Sequence, residues 1–205
     1  ELDGQIEVSI VSYPREVPLT YEELAAHVLP QIQEMARFII LGESFGGPLA
    51  LMVADSRPRG LVGVVLCASF ARFPGQSLRS LAPLVGFAPV LFPPRWLMSW
   101  LLLGRWASAS VLDRLALVIG QISPNVWRTR ARAALEVDVR DLVARLGVPL
   151  LWLRAVEDRV IRSPAAEIRL GSGRVVDVQA PHFMLQCEPS KCAELVLSFA
   201  RGAEF

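Results

Sequence analysis

Phe38-Ile39-Ile40-Leu41-Gly42-Glu43-Ser44-Phe45-Gly46-Gly47-Pro48 decides the fold. Residues 38–41 are four consecutive apolar side chains, the habit of a short strand buried on both faces of a parallel sheet. Residues 46–54 read as a helix. Between the two lies G-x-S-x-G. A chain of this length shows that pattern by chance about one time in fifteen, so the setting carries the weight: a strand directly before and a helix directly after. The serine then sits in a strained turn. Gly42 and Gly46 are expected to remove side chains that would collide two residues to either side, and Gly47 to let the helix pack close to neighbouring strands. The turn aims the Ser44 hydroxyl out of the sheet, beside a helix amino end whose N–H groups favour developing negative charge.

Working outward, the same alternation continues on both sides. Residues 6–13 (IEVSIVSY) are rich in β-branched side chains and predict a strand. Thr20-Tyr21-Glu22-Glu23 is a capping box, so a helix is expected from there to about Ala36, bent at Pro30. Residues 61–67 (LVGVVLC) predict another buried strand. The alternation then stops for residues 70–146, which read as loops and helices, with an Arg-studded helical pattern over 128–146. Strand signals return at 148–153 (VPLLWL) and 175–179. Ser163-Pro164 predicts a helix start, and residues 189–201 a closing amphipathic helix. Strands alternating with helices imply an α/β fold: a mostly parallel sheet with flanking helices. The long helical stretch is an insertion, expected over the carboxyl ends of the strands, where open sheets of this class bind ligands.

Composition limits the function. The chain has 205 residues, 53% of them hydrophobic, with 21 basic against 20 acidic side chains. That is ample for a core and leaves no cationic excess for nucleic acid. Three cysteines (Cys67, Cys187 and Cys192) and two histidines (His27 and His182) are too few for a disulfide scaffold or a multi-imidazole metal site. The cysteines read as ordinary reduced residues. No signal peptide is visible at the start. The apolar stretch 81–103 is long enough to span a bilayer. Pro83, Pro89, Pro93, Pro94 and Arg95 interrupt it, which favours a lid or core reading over a membrane span.

A serine hydroxyl is a poor nucleophile without a base. His27 falls inside the first helix pattern. His182 follows the last strand, where loops converge on the site, and is the candidate. Asp158 follows the 148–153 strand by five residues and is the candidate to orient the imidazole. Glu157, Asp138 and Asp141 are its nearby competitors. Glu43 reads as a turn residue, with a part in the site left open. Trp96, Trp100, Leu97, Leu101 and Leu103 fall at helical spacing: a packing stripe that could also line an apolar pocket, with Trp96 and Trp100 as its candidate residues.

The order Ser44, Asp158, His182 resembles the α/β-hydrolase fold superfamily. The chain looks like its small bacterial carboxylesterase-like serine hydrolases from about Ile6 onward. The likeness is carried by residues 42–48, by Cys67-Ala68-Ser69-Phe70, by Asp158 with Val160 and Ser163-Pro164, and by His182 with Glu188-Pro189. The resemblance implies Ser44 as nucleophile, His182 as general base and acid, Asp158 as orienting acid, and the Phe45 N–H as one oxyanion donor. It also implies a strand before residues 6–13, ending in a His-Gly or Pro-Gly loop that supplies the second donor. Five residues are too few for it, so the chain is expected to lack that strand.

The expected division is a hydrolase core over 1–72 and 147–205 with a helical lid over 73–146. The expected activity is cleavage of a small carboxylic ester with an apolar moiety, with no cofactor and no metal. Acyl transfer by the same triad is the alternative, and so is a binding module without catalysis. A cytoplasmic location, no membrane span, no nucleic-acid partner and a homo-oligomeric contact through an apolar lid complete the expectation.

Overall fold

The computed structural model describes residues 2, 4, 6–74, 94–161 and 173–202. Four strands, β1 (Phe38–Glu43), β2 (Leu61–Cys67), β3 (Leu150–Ala155) and β4 (Arg174–Val178), form one parallel sheet in the order β1-β2-β3-β4. Glu43 is level with Cys67 at the ends of β1 and β2, and Ala155 is level with Val178 at the ends of β3 and β4, two residues beyond the Cys67–Leu153 pair. Every loop leaving a carboxyl end therefore starts from the same edge of the sheet.

Parity along β2 explains the layers. Val64 and Leu66 face one side and pack with α1 (Tyr21–Ile32) and α2 (Gly46–Asp55). Val65 and Cys67 face the other and pack with Cys192 and Val196 of α8 (Pro189–Gly202). All four are 0% exposed. A strand covered on both faces has no polar alternation to keep, which is why LVGVVLC is apolar throughout. In α1 the capping box forms as expected: Thr20 Oγ1 accepts from the Glu23 N–H at 3.2 Å, and Glu23 Oε2 accepts from the Thr20 N–H at 2.7 Å. Its buried residues, Tyr21, Leu24, Ala25, Val28 and Ile32, make one helical stripe. The helix ends at Ile32, four residues short of the expected Ala36.

Three expectations are corrected. Residues 6–13 carry no strand. β-Branched side chains favour a strand only where a neighbouring ladder takes up the backbone groups. This segment pairs with none of the four strands: Val8 and Ile10 are 57% and 85% exposed, while Val11 and Tyr13 rest on the core. The helical pattern over 128–146 is two helices, α5 (Pro124–Glu136) and α6 (Arg140–Ala144). The break falls at Val137-Asp138-Val139, where two buried valines flank an aspartate. Val139 donates to the Ala71 carbonyl at 2.8 Å and Asp138 bridges to Arg72. Tertiary pairing there overrides helix propensity. The tryptophan stripe is the third. Residues 95–106 form a short α3 (Arg95–Met98), a π-helical turn (Ser99–Leu103) and a 3-10 turn (Gly104–Trp106). Met98 and Leu103 are buried there, whereas Trp96 and Trp100 are 70% and 51% exposed.

Between the 3-10 turn and α5 runs α4 (Ala109–Gly120), and α7 (Met184–Cys187) precedes α8. No described helix is long and apolar enough to cross a membrane. The Ser163-Pro164 helix start, and most of the apolar stretch 81–103, lie outside the described residues.

Candidate active site

Ser44 occupies the turn between β1 and α2 with φ of +51°, a left-handed conformation that costs a non-glycine residue about 1 kcal/mol or more. Three hydrogen bonds hold it there. Its N–H donates to the Cys67 carbonyl at 3.0 Å, and its carbonyl accepts from the Gly47 N–H at 3.1 Å and the Ser69 hydroxyl at 2.7 Å. Glycine is required at two positions, Gly42 and Gly47, both expected: Gly42 to avoid a collision across the turn and Gly47 for close packing of the helix. A Cβ on Gly42 would lie 2.4 Å from the Gly46 carbonyl oxygen. A Cβ on Gly47 would lie 1.7 Å from Ser69 Oγ. A Cβ on Gly46 would meet only the Tyr13 hydroxyl, at an ordinary 3.6 Å. The expectation that Gly46 relieves a collision is therefore corrected: the clash across the turn falls on Gly47, because α2 packs there against the residues following β2.

Phe45 is fixed from α1. Its ring stacks on Tyr21 with centroids 4.5 Å apart, and its carbonyl accepts from the Tyr21 hydroxyl at 3.0 Å. Burial pushes the Tyr21 phenol far above its usual range, so it stays a hydrogen-bond donor.

His182 and Asp158 stand on loops that leave β4 and β3. Backbone bonds join those loops: Val156 N–H to the Val178 carbonyl and Glu157 N–H to the Ala180 carbonyl, each at 3.0 Å. Asp158 Oδ1 accepts from the Val160 and Ile161 N–H groups, both at 2.7 Å. That leaves Oδ2 for His182 Nδ1 at 2.8 Å. His182 Nε2 is in turn 2.8 Å from Ser44 Oγ. Both side chains are enclosed, Asp158 at 2% and His182 at 3% exposure. A carboxylate can only accept, so the Nδ1 proton belongs on the Asp158 side and Nε2 is left to accept from the hydroxyl. A hydroxyl, an imidazole and a carboxylate in line can move a proton from oxygen to nitrogen without building an unpaired charge.

The competing groups are engaged elsewhere. Glu157 pairs with Arg105 at 2.9 Å, Asp141 with Arg145 at 2.9 Å and Asp138 with Arg140 at 2.8 Å. His27 lies on the exposed face of α1. Burial pushes the Cys67 thiol well above its usual range and Cys187 and Cys192 to about 11, so all three are protonated at neutral pH. The ionisation that would make a sulfur nucleophile is absent from this group of side chains. No cluster of three or more His, Cys, Asp or Glu among the described residues could hold a metal ion.

One set of contacts had no signal in the sequence. Residues 100–106 are tied to both the acid loop and the histidine loop. Leu102 accepts from the Phe183 N–H at 3.1 Å, and the Trp100 carbonyl accepts from Arg159 at 2.7 Å. The Arg159 guanidinium also sits 4.9 Å from the Trp100 ring centre. Arg105 pairs with Glu157, and the Trp106 indole N–H donates to Glu188 at 2.9 Å. Each partner is far away in sequence and none repeats with a helical or strand period. Beside this strap is a cleft of about 530 Å³ lined by Trp106, Arg105, Glu188, Lys191 and residues 177–179. Neither Trp96 nor Trp100 lines it, and Ser44 is not among its walls.

Residues 20–180 match the family model described as Hydrolase_4, serine aminopeptidase, S33. Solved structures share the fold. An esterase from Exiguobacterium antarcticum superposes with a TM-score of 0.75 at 16% identity, over 89% of this chain and 74% of its own. A hydrolase from Pseudomonas aeruginosa PA01 gives 0.68 at 24% identity, over 92% and 74%. An enol-lactonase from Burkholderia xenovorans LB400 gives 0.69 at 18% identity, over 90% and 74%. Curated protein sequences give no match. The strand–turn–helix around Ser44, the parallel sheet behind it and a family match over most of the sequence agree, and the chain belongs to the Hydrolase_4 (serine aminopeptidase, S33) family of α/β-hydrolase-fold hydrolases.

Proposed function

We propose that this hydrolase cleaves small carboxylic esters with an apolar moiety, through an acyl-enzyme on Ser44. The observation that supports this most is the pair of 2.8 Å contacts, Ser44 Oγ to His182 Nε2 and His182 Nδ1 to Asp158 Oδ2. Ser44 Oγ attacks the ester carbonyl and its proton passes to His182 Nε2. Asp158 holds the ring and balances the imidazolium. The Phe45 N–H, at the amino end of α2, donates to the oxyanion. His182 then gives the proton to the leaving alcohol. Water, deprotonated by the same nitrogen, releases the acid and restores Ser44. These steps close without a cofactor.

In this reading residues 73–146 are a lid over a core of 1–72 and 147–205. The exposed Trp96 and Trp100 are the apolar surface that the acyl or alcohol part meets. Turnover of p-nitrophenyl esters of increasing chain length, set against aminoacyl p-nitroanilides, tests the substrate class. Esters are expected to be cleaved and anilides not. Ser44→Ala is expected to lower ester turnover by about 10⁶ with the fold retained. Turnover that survives in that variant refutes the proposal. Products formed with an added alcohol separate hydrolysis from acyl transfer, and hydrolysis is the expected result.

A further inference from the structure

We propose that the Tyr13 hydroxyl is a second donor to the oxyanion that forms on the substrate when Ser44 attacks. The inference rests on the acyl-enzyme route proposed above and adds a catalytic residue to it. The hydroxyl stands where α2 begins. A Cβ on Gly46 would lie 3.6 Å from it. One carbon–carbon bond further, the Gly46 Cα is no more than about 5 Å away. Gly46 directly follows Phe45, whose N–H is the first donor, and Phe45 directly follows the nucleophile. The two tyrosines of the chain differ in what their hydroxyls do. Tyr21 is buried and donates to the Phe45 carbonyl at 3.0 Å. Tyr13 is half-buried with its ring against the core, and among the described residues its hydroxyl has no hydrogen-bond partner. Enclosed phenols ordinarily find one. Burial pushes the Tyr13 phenol above its usual range and the Arg130 charge pulls it part of the way back, so the oxygen keeps its proton at neutral pH. Tyr13 therefore brings an unused donor to the helix start beside Ser44.

The donor is also held in place. Residues 6–13 pair with no strand, yet the chain just after them is tied to α4, α5 and the turn between them. Arg130 donates to the Pro14 carbonyl at 2.8 Å, and its guanidinium lies 5.5 Å from the Tyr13 ring centre. The Ser123 N–H donates to the Arg15 carbonyl at 3.0 Å, and Arg15 bonds the Gln121 side chain. These bonds cross more than a hundred residues of sequence and converge on residues 13–15. A donor fixed before the reaction costs no reorganisation while charge develops, which is what makes an oxyanion site effective. As Ser44 Oγ bonds the carbonyl carbon, the π pair of the C=O bond moves onto oxygen. That oxygen accepts from the Phe45 N–H and from the Tyr13 O–H. The phenol proton stays on Tyr13 throughout, and the bond weakens again when the leaving alcohol departs and the carbonyl re-forms.

Tyr13→Phe removes the oxygen and keeps the ring. It takes away no hydrogen bond within the described residues, so the variant is expected to fold with its urea midpoint unchanged. Its kcat on p-nitrophenyl esters is expected to fall about 10²-fold with KM little altered, because the bond is made to the transition state and not to the bound ester. A short-chain alkyl boronic acid reads the same donor without turnover. Ser44 Oγ adds to the boron, and one boron-bound oxygen takes the place of the oxyanion. Its inhibition constant is expected to rise at least tenfold in Tyr13→Phe. Parental kcat in the folded variant overturns the inference. A rise in KM alone overturns it too, and so does a loss of kcat with boronic-acid affinity unchanged. Ser44→Ala run beside it separates the two readings. Turnover lost in Ser44→Ala but kept in Tyr13→Phe sinks this inference alone, whereas turnover that survives in Ser44→Ala sinks the proposed function and this inference with it.

Discussion

Gly46 and Gly47 are adjacent, yet the structure assigns them opposite tolerances. A methyl group on Gly47 would stand 1.7 Å from Ser69 Oγ and 2.7 Å from Ser69 Cβ. Rotating the hydroxyl away leaves the second contact in place, so α2 must also shift. Overpacking of this kind costs about 1–3 kcal/mol. The lost Ser69–Ser44 hydrogen bond adds about 1 kcal/mol. Alanine returns about 1 kcal/mol of helix propensity over glycine. Gly47→Ala should therefore destabilise by about 1–3 kcal/mol, a fall in Tm of about 5 °C for a chain this size. Gly46→Ala meets one atom at 3.6 Å and keeps the propensity gain, so it should be neutral or slightly stabilising. Thermal and urea unfolding of both variants, with Ser69→Ala and the Gly47→Ala/Ser69→Ala double variant, completes the measurement. The double variant removes the 1.7 Å contact and should recover part of the loss. A Gly47→Ala protein as stable as the parent, or a Gly46→Ala protein less stable than Gly47→Ala, would refute the reasoning.

Asp158→Asn should leave the fold in place and lower kcat by about 10⁴, because the amide no longer holds the Nδ1 proton; ester turnover with matching circular dichroism checks this. Trp106→Phe removes the indole donor to Glu188 and should lower stability by about 1 kcal/mol, read from the urea midpoint. Acid stability should fall below about pH 4. The Arg145, Arg140 and Arg154 guanidiniums that bond Asp55, Asp138 and Asp177 hold those carboxyls below their usual range. A depressed carboxyl contributes stability above its unfolded value and loses it as pH falls through its folded one. Asp177→Asn should flatten that limb in a urea midpoint series against pH, and an unchanged limb counts against the pair.

The parts read from sequence are those whose cause is local. Residues 38–48 carry strand, turn and helix in one stretch, and Thr20 and Glu23 carry their own cap. The order Ser44, Asp158, His182 follows from loops leaving one sheet edge. What escaped depends on partners distant in the chain. Nothing near residues 6–13 says that their strand propensity meets no ladder. Nothing near Gly47 announces Ser69, whose hydroxyl makes that glycine the tighter one. The break at Val137–Val139 needs Arg72 and Ala71 to explain it. The strap at 100–106 is a set of single long-range bonds, and periodicity says nothing of such bonds.

That strap has a kinetic consequence. The Phe183 amide is bonded to Leu102, and Phe183 directly follows His182. Its exchange with solvent deuterium therefore requires the 100–106 segment to part from the histidine loop, whether or not the sheet opens. One backbone proton thus reports the opening of the segment beside His182. An exchange rate faster there than in β2 would mark a partly undone state in which Ser44 keeps its turn while His182 is loosened.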